Sequence, residues 1–141
     1  MRLVLDTSVL VAAIRSPTGA SKALLDTALC GWVETLISPA LVLEYEMVLT
    51  RPEHLSVSGF LLEEVNGLLD TICEVGTKVI IQWHWRPQLH DPDDEMVLET
   101  AINGYANAIV TFNRTHFVHA GKQFGFQVLS PREALESVVN I

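Results

Sequence analysis

Three acidic positions stand where an α/β chain would gather them. Asp6 follows the apolar run Leu3-Val4-Leu5 and precedes Thr7 and Ser8. Either it caps the segment from Val9 onward, or it is desolvated at a strand's carboxyl end and needs a partner such as a metal ion. Glu44 lies in a stretch that is apolar almost all the way round, from Ala40 to Leu49. At about 100° per residue, Glu44 falls between Ala40/Met47 and Leu41/Val48, and Glu46 between Val42 and Leu43. One or both must reach solvent or be bound. Asp91, Asp93, Asp94 and Glu95 surround Pro92. One helix start uses an Asp cap and a first-turn Pro, and its dipole favours acids. Four acids exceed that need and repel one another unless a cation is near. Asp94 shares a helical face with Val97, Leu98 and Ala101, so it points along the buried stripe.

A fourth polar segment, Thr111-Phe112-Asn113-Arg114-Thr115-His116-Phe117, follows the apolar run Ala108-Ile109-Val110. On pattern alone it reads as an Asn and Thr turn with His116 partly exposed rather than as part of a site. Together these pieces place three carboxylates and an Asn or His at one edge of one sheet. Oxygen-rich groups of this kind suit magnesium or manganese. Such ions bind phosphate oxygens, activate water and stabilise the leaving oxygen of a phosphodiester.

The elements that must hold these residues alternate. Strands are expected at Arg2–Leu5, Val33–Ile37, Val79–Ile81, Ala108–Thr111 and Gln127–Leu129, from their short β-branched and aliphatic runs. Helices are expected over Lys22–Cys30, from Ser38-Pro39 to about Thr50, and from about Ser58 to Glu74, with Phe60, Leu61, Val65, Leu68, Leu69 and Ile72 on one face. Two more open at Asp91-Pro92, ending near Gly104, and at Ser130-Pro131-Arg132-Glu133, a capping-box start. Continuous apolar strands alternating with helices imply a parallel sheet covered on both faces. The expectation is a three-layer α/β/α sandwich around a mainly parallel sheet of about five strands. Ligands of such sheets gather beyond the strands' carboxyl ends.

Size and charge set the limits. The 141 residues suit one domain, residues 1–141, and 49% hydrophobic with 18% charged residues is a globular balance. A formal charge of −8 excludes a broadly basic surface, so any polyanion must be met through a local patch or a bound cation. Cys30 and Cys73 form no CxxC pair, which speaks against a disulfide scaffold or structural zinc and for a reducing cytosol. His84, His90, His116 and His119 lack zinc-ligand spacing. No run approaches the ~18 apolar residues of a membrane span, and Asp6 interrupts the one signal-like start. A soluble cytoplasmic protein is expected.

The motif pieces are similar to those of the PIN domain family of metal-dependent ribonucleases, and within it resemble the toxins of bacterial and archaeal toxin–antitoxin pairs. They are Leu5-Asp6-Thr7-Ser8-Val9-Leu10, Ser38 through Glu44 to Val48-Leu49 and Arg51-Pro52, Asp91-Pro92-Asp93-Asp94 leading to Leu98 and Ala101, and Ala108-Ile109-Val110-Thr111 with Asn113 and Phe117. They occur in family order over residues 3 to about 117. The resemblance makes Asp6, Glu44 and Asp94 metal ligands and catalytic residues, and it selects Glu44 over Glu46 because Val48, Leu49 and Arg51-Pro52 follow. Asn113 is implied as a neutral metal ligand, with Thr7, Ser8, Asp91, Thr111 and His116 in support. Many relatives carry an acid where this chain has Asn113 or His116, which puts a second metal ion in doubt. Mg2+ or Mn2+ as cofactor, RNA as substrate, a cognate antitoxin and a homodimer are likewise implied, with water attack leaving 5′-phosphate and 3′-hydroxyl ends.

Two other readings compete. One is a PIN-like nucleic-acid-binding or regulatory module without activity. The other is an α/β protein that accepts a phosphoryl group on Asp6, which needs a lysine near a strand end and finds only Lys122. Arg15, Lys22, Arg51 and Arg114 are candidates for RNA backbone contacts. Trp83, His84 and Trp85 either stack on unpaired bases or pack as an apolar loop.

Overall fold

Leu3, Val4, Leu36, Ala108, Ile109 and Val110 are all completely buried, as strands covered on both faces must be. The structure, a computed structural model, describes residues 1–83 and 92–139, without the side chains of Pro92 and Asp93. These residues form β1 (Arg2–Leu5), α1 (Thr7–Arg15), α2 (Ala20–Leu29), β2 (Glu34–Ile37), α3 (Pro39–Leu49), α4 (Pro52–Ser58), α5 (Leu62–Val75) and β3 (Thr77–Lys78). The chain continues through α6 (Pro92–Asn103), β4 (Ala108–Val110), a 3₁₀ turn at Arg114–His116, α7 (Val118–Phe124), β5 (Gln127–Leu129) and α8 (Pro131–Val139).

The strands make one parallel sheet in the order β3-β2-β1-β4-β5. Leu3 stands opposite Thr35 on one side and Ala108 on the other. From β1 the chain winds outward to β2 and β3, then crosses back to β4 and β5. Right-handed crossovers running in opposite directions place their helices on opposite faces. Helix α6 accordingly packs on β1, β2 and β4, and α2 packs with α1, α5 and α8. The expected three-layer α/β/α sandwich with five parallel strands is the observed fold.

Two expected elements differ. The third strand is Thr77–Lys78 rather than Val79–Ile81. Its partner β2 ends at Ile37 because Ser38 leaves the sheet to cap α3, so pairing stops after Val79 N–H reaches the Ile37 carbonyl at 2.7 Å. Ile80, left without a partner strand, is 77% exposed. The helix expected over about 58–74 starts later, and a further helix that was not expected precedes it. Pro52 starts α4, Gly59 ends it in a left-handed conformation at φ 76°, and α5 begins only at Leu62. Val65, Leu69 and Ile72 are buried as expected, but Leu61 lies outside the helix and is exposed. Helices α1 and α7 were not expected either, although α1 buries Val9, Leu10, Ala13 and Ile14 at helical spacing.

The capping box of α8 forms as expected. Glu133 N–H donates to Ser130 Oγ at 3.2 Å, and Ser130 N–H donates to the Glu133 carboxylate at 3.0 Å. These bonds to Ser130, followed by the Arg114 guanidinium, hold the Glu133 carboxyl below its usual range. A depressed pKa adds stability above the ordinary glutamate value and loses it as pH falls through the folded value. Glu133→Gln is therefore expected to lower the melting temperature near neutrality. The gap should close in melts below about pH 4.

Candidate active site

The strand order reverses between β1 and β4, and there the carboxyl ends of two parallel strands diverge to leave a crevice. Asp6 sits at that point. Its N–H donates to the Val110 carbonyl of β4 at 2.9 Å, which fixes its backbone across the crevice. It occupies the N-cap position of α1, with φ −64° and ψ 148°, yet its side chain makes no cap bond. The carboxylate turns instead to β4. Asp6 Oδ2 accepts from Thr111 Oγ at 2.7 Å and from Ser8 Oγ at 2.7 Å. Those hydroxyls accept in turn, Thr111 from Asn113 N–H at 2.9 Å and Ser8 from Phe112 N–H at 3.4 Å. Two hydroxyls thus relay the turn after β4 onto one oxygen of Asp6. Among the described residues, Oδ1 accepts no hydrogen bond and no cation pairs with the carboxylate, although the residue is only 6% exposed.

Asp94, in the first turn of α6, is buried beside Val97, Leu98 and Ala101, on the stripe expected for it. Its Oδ2 meets His116 Nδ1 at 2.8 Å, so the turn after β4 grips both acids. Glu44 is half-buried on α3 and Glu46 exposed. Thr7 is buried at the start of α1, and Asn113 is exposed, joined to the network through its main chain. Asp91 lies outside the described residues, as do His84, Trp85 and His90. The structure brings Asp6, Ser8 and Thr111 together, and Asp94 with His116. Among the described residues, no three His, Cys, Asp or Glu side chains are close enough together to hold one ion.

Sequence reasoning missed Tyr45. Its ring is buried on α3 and its hydroxyl donates to the Leu5 carbonyl at 2.5 Å, one peptide before Asp6. Burial first, and the negative charge of Asp6 second, push the phenol far above its usual pKa, so it remains a donor. Glu99 was missed as well. It lies one turn beyond Glu95 on α6, and both are as buried as Asp94. The i, i+4 pair of acids was the available signal. Buried Ser38 and Thr100 join α3 to α6 through their hydroxyls at 2.8 Å.

Most of the candidate cations are engaged within the fold. Lys22 pairs with Asp26 at 2.6 Å, Arg114 with Glu133, and Arg15 meets His54 at 2.7 Å.

A PIN domain family model matches residues 2–115, which span every motif from Asp6 to Asn113. Among solved structures, the chain is similar to one in the VapBC2 complex from Rickettsia felis, which was crystallised bound to a DNA fragment from its promoter. The TM-score is 0.61 at 15% identity, covering 92% of this chain and 98% of that one. No curated protein sequence matches. Strand order, the acid at the β1–β4 crevice and the extent of the family match lead to one assignment: the chain belongs to the PIN domain family.

Proposed function

We propose that the protein, acting as a single nuclease domain, is a metal-dependent endoribonuclease and the toxin of a toxin–antitoxin pair. The observation that carries this reading is the state of Asp6. One oxygen is locked by two hydroxyls, and the other has no donor among the described residues, at the crevice where ligands of such sheets bind. A buried carboxylate with hard oxygen donors around it fits magnesium or manganese in chemistry. Asp6, Glu44 and Asp94, whose side chains are not gathered closely enough in the structure to share an ion, would be drawn together by it, with the Asn113 amide as a neutral oxygen. What that ion supplies is polarisation of a phosphodiester and activation of water.

The remaining residues position these groups. Ser8 and Thr111 aim the free oxygen of Asp6, and His116 fixes the carboxylate plane of Asp94. Thr7 and Asp91 support the two motifs. The solved neighbour, VapBC2, is bound to a DNA fragment from its promoter, and with the family resemblance this supports a cognate antitoxin as partner. A homodimer and a cytoplasmic location complete the proposal. No helix among the described residues is long and apolar enough to cross a membrane. For the phosphoryl-acceptor alternative, Lys122 lies on α7 against β5, and no lysine among the described residues bonds to Asp6.

The test is cleavage of a defined single-stranded RNA pool with manganese or with EDTA, beside Asp94→Asn. Cutting that requires manganese and is lost in the variant is expected. Undiminished cutting by the variant contradicts the assignment. Absence of both cutting and a manganese-dependent rise in melting temperature would overturn the nuclease reading and favour the inactive module.

A further inference from the structure

A cleft of about 450 Å³ opens between the start of β1, β3 and the end of α6. Arg2, Lys78, Trp83, Asn103, Gly104 and Tyr105 line it. Its two aromatic side chains face solvent, Trp83 at 61% and Tyr105 at 84% exposure. Large apolar groups that a fold leaves outside call for an explanation.

The backbone makes the case sharper. Helix α6 closes with Ala106 N–H on the Ala101 carbonyl at 3.0 Å and Tyr105 N–H on Ile102 at 3.3 Å. The closing residue, Tyr105, takes φ 53°, a left-handed conformation that usually falls to glycine. The neighbouring glycine is committed elsewhere. A Cβ on Gly104 would come within 2.8 Å of both Leu36 Cδ1 and Val79 Cγ2. Tyr105 therefore bears backbone strain while its ring packs little of the core, so the fold gains nothing from a tyrosine there.

Trp83 is held in place from the same helix end. Asn103 Oδ1 accepts from the N–H groups of Gln82 and Trp83, both at 3.0 Å. Its Nδ2 donates to the carbonyls of Trp83 at 3.0 Å and Glu99 at 2.8 Å. One amide, with all these bonds made, clamps the tryptophan's main chain two residues from Tyr105. The charge beside it is cationic. Arg2 is spent on Glu34 and the Gly104 carbonyl. Exposed Lys78 touches only the Cys73 carbonyl, at 3.1 Å, among the described residues.

We propose that this cleft is a stacking subsite for an unpaired base of single-stranded RNA, with Trp83 and Tyr105 as its aromatic faces and Lys78 meeting the adjacent phosphate. The proposal rests on the ribonuclease reading above and extends it to how substrate is held. Exposed rings beside a cation are the means by which proteins bind single strands without reading their sequence. Helix α6 ties the two places together. Asp94 lies in its first turn and the cleft-lining Asn103 at its end, about 14 Å apart at about 1.5 Å per residue.

The experiment is fluorescence anisotropy of a labelled single strand of roughly 12 nucleotides, in EDTA so that nothing is cut. Trp83→Ala and Tyr105→Gly are each expected to weaken binding at least about fivefold. Tyr105→Gly should leave the melting temperature unchanged or raise it, since glycine relieves the left-handed strain. Wild-type affinity in either variant overturns the subsite, as does an equal loss of affinity for duplex RNA. A wild-type protein that binds the single strand this way but never cuts RNA with manganese keeps the subsite and removes the ribonuclease. Full manganese-dependent cutting with no effect of either substitution on binding does the reverse.

Discussion

Replacing Asp6 with asparagine is expected to lower manganese-dependent RNA cleavage by at least about a hundredfold. Removing a residue that merely supports a metal ligand costs about 10–100-fold, so losing the ligand's charge should reach at least the top of that range. The fold should survive the change. An asparagine oxygen still accepts the hydroxyls of Ser8 and Thr111, and the main-chain bond to Val110 is untouched. The metal-free variant should then melt within about two degrees of the wild type. Its manganese-dependent rise in melting temperature should vanish together with the activity. A variant that keeps that rise would show that the ion is held by other residues.

The second large effect is expected at a residue that touches neither metal nor RNA. Tyr45→Phe removes the hydroxyl that donates to the Leu5 carbonyl and leaves that buried oxygen without its partner. An unsatisfied buried group costs about 1–3 kcal/mol. In a domain of this size the melting temperature should fall by roughly 5–10 °C. The Leu5–Asp6 peptide is held by Tyr45 on one side and by Val110 on the other. Freeing one side should therefore lower kcat more than it changes KM, because Asp6 is aimed less well. A melting temperature within a degree of the wild type would contradict this account of Tyr45.

What could be read from the sequence divides along a physical line. Element types follow from local periodicity, so β1, β2, β4, β5 and most helices were foreseeable. Strand β3 was not, because its place depends on where its partner β2 stops, and that is set by the Ser38 cap rather than by the β-branched run at Val79. Asp6 is the instructive case at the site. The sequence left open whether it was a cap or a ligand at a strand's end. The structure puts it in the cap position with its carboxylate bonded elsewhere. That outcome turns on Thr111, which is distant in sequence and adjacent only once β1 and β4 pair. The pairing of Asp94 with His116 is long-range in the same way. Tyr45 was hidden for another reason. On a helix apolar nearly all round, a tyrosine reads as one more core residue, and only the fold shows what its hydroxyl reaches.

The central claim, that metal-dependent RNA hydrolysis occurs at the Asp6 edge, is tested most directly by the ends of the products. A defined single-stranded RNA incubated with purified protein and manganese, with an EDTA control, should yield fragments bearing 5′-phosphate and 3′-hydroxyl groups, and none in EDTA. Fragments ending in 2′,3′-cyclic phosphate, or cutting that persists in EDTA, would contradict it, because the first means attack by the RNA's own 2′-hydroxyl and the second means hydrolysis that needs no chelatable metal ion.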